Sequence, residues 1–159
     1  MQNATQVIEQ LSGVHEAIRH YVTEIKDDII SLEALSHQCT GEWSDGQCQF
    51  ISEKQFDLKQ NLQYLEKGLH DHYLKESELL KPLAGEFLMK AINKECHEIN
   101  KQFEQAKSSI SDISRGLPTA KDLTAKTSEA RQTLEAFSQL VKDHSRKMDV
   151  ILKMLRSVI

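Results

Sequence analysis

Breakers of regular structure are scarce: the chain has two prolines, Pro82 and Pro118, and six glycines, and aromatic residues make up only 6% of it. With Leu, Ile, Glu, Lys, Gln and Ala abundant, this composition favours helices and gives sheets little to build on. No apolar run approaches the roughly 20 residues that cross a bilayer. The opening Met1-Gln2-Asn3 begins a polar helix and does not read as a signal peptide, so a cytoplasmic protein is expected. There is no basic excess either. Twenty Lys and Arg stand against 24 Asp and Glu, a net charge of −4 that offers no attractive field to nucleic acid, and the charges alternate as on solvated helix faces. Three cysteines, Cys39, Cys48 and Cys96, are too few and odd in number for a disulfide framework. Cys39 and Cys48 bracket a glycine-containing loop, where free thiols and a regulatory disulfide are the two alternatives, and Cys96 reads as a small core residue.

What is present is a long helical pattern with three breaks. At 159 residues and 39% hydrophobic content, the chain can bury one sizeable core, and residues 1–159 are expected to form a single domain. Asn3 or Thr5 can cap a first helix running to about Leu35. Ser36 to Gln49 has turn chemistry in Gly41, Ser44, Asp45 and Gly46. A second helix is predicted from about Ile51 to Lys81, where Pro82 limits it and Gly85 follows closely, so the next helix should turn back antiparallel. The third runs to about Ser114, Arg115-Gly116-Leu117-Pro118 breaks it, and Thr119 or Asp122 opens a fourth that continues almost to Ile159. The fold class is all-α, an antiparallel up-down-up-down four-helix bundle.

Apolar residues in these segments recur at alternating steps of four and three, the signature of bundle seams. The first helix reads Leu11, His15, Ile18, Val22, Ile25, Ile29 and Leu32. The second reads Leu58, Leu62, Leu65, Leu69, His72, Glu76 and Leu79, and the fourth Ala130, Leu134, Phe137, Val141, His144, Met148, Ile151 and Leu155. His15, His72, Glu76 and His144 therefore occupy positions that packing reserves for apolar side chains. The third helix has its seam at Ile92, Cys96, Ile99, Phe103, Ala106, Ile110 and Ile113, with His97 beside it. Measured from one pole of an up-down-up-down bundle, His15, His72, His97 and His144 lie at roughly 14 to 21 Å, a spread of little more than one turn at about 1.5 Å per residue. They should form one layer. Glu76 follows His72 by one turn on the same face, and Asp149 follows His144 by five residues. Buried imidazoles and carboxylates without an ion would weaken the core, whereas iron, manganese or zinc turns them into ligands.

Here the chain resembles the hemerythrin and hemerythrin-like family, whose helices carry a His, then His-x3-Glu, then one or two His, then His-x4-Asp or His-x3-Glu. The matching residues are His15, His72-Tyr-Leu-Lys-Glu76, His97 and His144-Ser-Arg-Lys-Met-Asp149, spanning nearly the whole chain. The resemblance implies a metal site of His15, His72, Glu76, His97, His144 and Asp149 holding two non-haem irons with an oxo or hydroxo bridge, spanned by Glu76 and Asp149 and open to dioxygen. One departure stands out. Oxygen carriers have His-x3-His on the third helix, whereas His97 has Asn93 and Lys101 a turn away on either side, so water or a group such as Glu98 would complete that iron. A more open iron favours reaction with dioxygen, peroxide or nitric oxide over reversible carriage.

Three readings follow. The first is a di-iron protein that binds or senses dioxygen or related small oxidants. The second is a di-iron oxidoreductase acting on peroxide or nitric oxide. The third is a metal-free helical interaction domain whose polar layer sets helix register. His20, His37 and His70 read as solvated, Lys142, Arg146 and Lys147 as a solvated face, and Trp43 as a cover for one bundle end.

Overall fold

The computed structural model describes residues 4–158. They form four helices, α1 Ala4–Gln38, α2 Asp45–Leu80, α3 Glu86–Ile113 and α4 Ala120–Val158, with no strand among the described residues. Asn3, one of the two expected caps of α1, and Ile159 lie outside them. Among the described residues no helix is long and apolar enough to cross a membrane.

The first connection is shorter than its composition suggests, because helix-capping chemistry reaches into it from both sides. Ser36 stays helical, its hydroxyl donating to the Glu33 carbonyl 2.6 Å away, a local bond that Ser makes readily inside a helix. At the other side Ser44 and Gln47 form a reciprocal capping box, with Gln47 N–H donating to Ser44 Oγ and Ser44 N–H to Gln47 Oε1. Asp45 and Gly46, expected in the turn, are therefore the first residues of α2. The α2–α3 connection is tight, with Leu83 and Ala84 N–H both donating to the Leu80 carbonyl. At the end of α3, Gly116 takes a left-handed φ of 64°, which costs an L-residue about 1 kcal/mol or more. Gln55 of α2 donates there to the carbonyls of Ile113 and Gly116, satisfying acceptors that the helix end leaves open. Thr119 caps α4, accepting from Asp122 N–H at 3.2 Å.

These helices pack as a four-helix bundle. α1 lies against α2 and α4, and α3 against α4 and, more sparsely, α2; across the diagonals, α1–α3 and α2–α4 bring no Cα atoms within 8 Å among the described residues. Trp43 stitches the α1–α2 connection to the α3–α4 connection through a 2.7 Å bond from its indole N–H to the Pro118 carbonyl. Cys39, Cys48 and Cys96 are free thiols, all half-buried.

The seams face inward much as the spacing requires, and they are interrupted once. A long apolar cluster holds Ile18 to Leu32 of α1, Ile51 to Leu69 of α2, Ile99 to Ile113 of α3 and Leu123 to Val141 of α4. A short one gathers Val7, Leu11, Leu80, Ile92, Met148 and Leu152. Leu80 and Leu152 are the buried residues at these ends, while Leu79 and Ile151 are half-buried, because each step of four from Glu76 and Met148 stays closer to the inward direction than a step of three; Leu155 is half-buried as well. Between the two clusters, α1, α2 and α4 carry buried polar side chains into one layer.

Candidate metal centre

That layer is made by His15 of α1, His72 and Glu76 of α2, and His144 of α4. They are 1 to 3% exposed and sit one turn from Leu11 and Ile18, from Leu69 and Leu80, and from Val141 and Met148. The helical period therefore fixes the inward direction of each side chain before any polar contact is made. One ligand atom from each lies within 4.8 Å of every other. His15 Nε2 is 3.0 Å from His72 Nε2, and His72 Nε2 is 2.6 Å from Glu76 Oε2. His144 Nε2 is 2.9 Å from Glu76 Oε1, and His15 Nε2 is 4.0 Å from Glu76 Oε2.

His15 Nε2 and His72 Nε2 partner each other, but most of the layer's other polar atoms are unsatisfied. Both Glu76 oxygens and His144 Nε2 lack a well-directed partner among the described residues, as do His15 Nδ1 and His72 Nδ1. Each such buried group ordinarily costs about 1–3 kcal/mol. Three nitrogens and a carboxylate converge on one point, and both carboxylate oxygens and His144 Nε2 are left without a well-directed partner, as groups arranged around an ion would be. Donor atoms about 2.0–2.2 Å from one ion are roughly 3–4 Å apart, so the observed separations need only small side-chain rotations to take one. Imidazole with carboxylate suits a divalent first-row ion such as iron, manganese or zinc. The residues fit a metal.

Electrostatics run in the same direction. Burial alone would push the Glu76 carboxyl up, but His144, His15 and His72 around it hold it well below the usual carboxylate range. Burial lowers His72, with Glu76 offsetting part of the effect and His15 and His144 adding to it, so this imidazole favours its neutral, metal-binding form. Burial would also lower His144, yet Glu76 and Glu95 together raise it. Tyr73, tilted against His72 at 5.3 Å between ring centroids and edge-on to His144 at 5.9 Å, is pushed up by burial first and then by Cys96, Glu76 and Glu95. It stays a neutral phenol. The Cys96 thiol is pushed up to about 12 by burial and by the charges of Glu76 and Glu95, so without an ion nearby it is a neutral thiol.

The structure brings together four of the six expected residues. His97 is exposed on α3: it precedes the buried Ile99 by two residues, about 200° around the helix, and so faces away from the interior. Glu98, the proposed substitute, is exposed as well. Asp149 is half-buried and lines a surface groove between α1 and α4 with Glu9, Ser12, Glu16, Lys153 and Arg156. Five residues past His144 is roughly 140° of rotation, whereas Met148, at four residues, stays inside.

Sequence reasoning missed Glu95. Its Oε1 accepts from His144 Nδ1 at 2.8 Å and its Oε2 from Lys147 Nζ at 3.1 Å. Glu95 stands three residues after Ile92 and four before Ile99, both buried, and that spacing was the available signal.

Comparison with known proteins finds no protein-family model, no curated protein and no solved structure that matches the chain.

Proposed function

We propose that this chain is a metal-binding four-helix bundle, of up-down-up-down antiparallel topology, whose centre takes a divalent transition-metal ion on His15, His72 and His144 and on the Glu76 carboxylate. One observation carries the reading: three imidazole nitrogens and a carboxylate, buried to within a few per cent, converge within 4.8 Å, with both carboxylate oxygens and His144 Nε2 lacking well-directed hydrogen bonds. The topology is supported by the close α2–α3 turn and by Trp43, which ties the α1–α2 and α3–α4 connections together. When bound, the ion supplies a Lewis-acidic and, for iron or manganese, redox-capable position for a small ligand such as dioxygen, peroxide or nitric oxide. The chain's own part is to hold the donors, exclude bulk water with apolar clusters on both sides, and leave an approach for small molecules. A groove of about 740 Å³ between α2 and α3 is lined by Tyr73, which also touches the imidazole layer. This favours a protein that binds or senses a small oxidant; a cytoplasmic location is part of the same proposal.

A second reading is the two-iron site of the hemerythrin-like proteins the motifs resemble, acting on dioxygen or as an oxidoreductase on peroxide or nitric oxide. The orientation of Glu76 favours it, because Oε2 faces His72 and Oε1 faces His144, as a carboxylate spanning two ions would. Four clustered ligands suffice for one ion, and His97 and Asp149 stand apart. Metal analysis of protein prepared with iron, manganese and zinc available separates the readings: about one ion per chain supports the first, about two the second, and near zero overturns both. His72→Ala and Glu76→Ala should each abolish uptake.

A further inference from the structure

Of the three histidines in the layer, only His144 has its outer nitrogen engaged. His15 Nδ1 and His72 Nδ1 are buried without a partner among the described residues, whereas His144 Nδ1 lies 2.8 Å from Glu95 Oε1. Glu95 is also how α3 reaches the centre, since none of the four clustered ligands comes from that helix.

We propose that Glu95 is a positioning residue for the metal centre: it keeps a proton on His144 Nδ1, so that Nε2 presents its lone pair toward Glu76 and the ion. This inference rests on the metal-binding reading above. An imidazole has two nitrogens and, when neutral, one proton, so whichever nitrogen donates leaves the other free to bind a metal. A carboxylate at Nδ1 settles that choice, fixes the ring's rotation and makes Nε2 a stronger donor. Charge adds to the effect. A divalent ion beside Glu76 alone leaves the buried layer with one net positive charge, and Glu95 one imidazole further out neutralises it. Lys147 holds the second oxygen of Glu95 from the outside, three residues beyond His144 on α4. With its side chain 65% exposed, Lys147 is a weak clamp, and the structure assigns it a minor part.

The test uses the full chain with Zn2+ as probe, in wild type, Glu95→Gln and Lys147→Gln. Competition with a chromophoric chelator should give Glu95→Gln an affinity about 10–100-fold weaker at unchanged stoichiometry, the range typical for removing such an outer partner. Lys147→Gln should stay within about threefold of wild type, as expected for an exposed ion pair. In the Zn2+-loaded protein, nitrogen-15 NMR should show a slowly exchanging His144 Nδ1–H that shifts and exchanges faster in Glu95→Gln, a signature that a merely structural role would not move. Wild-type affinity in Glu95→Gln with the His144 resonance unchanged would overturn the role of Glu95 and leave the metal centre standing. A wild-type chain that takes up no ion would overturn both.

Discussion

Loading the centre with its ion should raise the melting temperature by an amount the structure allows to be worked out. An ion that binds the folded state alone adds about 2.7 kcal/mol at a free concentration 100 times its Kd. Unfolding entropy near 60 °C is about 2.1 cal/mol/K per residue, or about 0.33 kcal/mol/K for a chain of this length, so the melting temperature should rise by about 8 °C. Binding by the folded state alone is a sound premise, because the four ligands come from three helices and meet only when the bundle closes. Calorimetry of chelator-stripped protein, titrated with Zn2+, Mn2+ or anaerobic Fe2+, measures the shift directly. His72→Ala, which removes the nitrogen 3.0 Å from His15 and 2.6 Å from Glu76, should melt at the same temperature with and without the ion. A wild-type melting temperature indifferent to all three ions, or a His72→Ala variant that rises as far as wild type, would refute the reasoning.

Further predictions concern individual side chains in and around the layer. His97→Ala and Asp149→Ala should leave ion affinity within about twofold and stability within about 0.5 kcal/mol of wild type, as for substitutions away from buried features, measured by chelator competition and urea unfolding. Phe137, fully buried and 5.5 Å from the Phe103 ring, should lose about 3–5 kcal/mol on replacement by Ala, read from the urea midpoint, while the chain still takes up its ion. In the metal-free protein Glu76 is held below its ordinary pKa of 4.5, so its stabilisation is complete above that pH and lost as pH falls toward its folded value. Wild type should therefore lose more stability on acidification below about pH 4.5 than Glu76→Gln in denaturant titrations, and an equal loss would contradict the assignment. His144 acts in the opposite sense: its pKa is raised above 6.5, so its contribution is complete below 6.5 and fades as pH climbs through the folded value.

Much of the helical architecture was legible because it depends on periodicity, which a sequence displays directly. The alternating steps of four and three put His15, His72, Glu76 and His144 on inward faces, and the structure gathers those four side chains. Reading failed where one residue of spacing or a local hydrogen bond decided the outcome. Asp149 was included because His-x4-Asp matched a pattern, yet a fifth step turns it out toward α1, and a helix tolerates that mismatch without any sign in composition. His97 fell just beside a seam, and on a helix the neighbouring position is rotated by about 100°. Glu95 escaped notice because its value lies in an acceptor for His144, a contact between two helices that only their relative rotation reveals. The ends of α1 and α2 were misplaced because Ser36 and Ser44 look like loop residues in composition, while Ser44 caps and Ser36 bonds back along its own helix.

The division of the apolar interior has a consequence for how the molecule yields under stress. Among the described residues, twenty buried apolar side chains lie in the longer compartment and six in the shorter, with a hydrophilic bulkhead between them. Local opening of the shorter compartment exposes far less oily surface than global denaturation, so amide exchange there should proceed through a low-energy excursion of its own. An ion held by the bulkhead would tie α1, α2 and α4 together at the boundary and should raise the threshold for that excursion first, which amide exchange with and without Zn2+ would show.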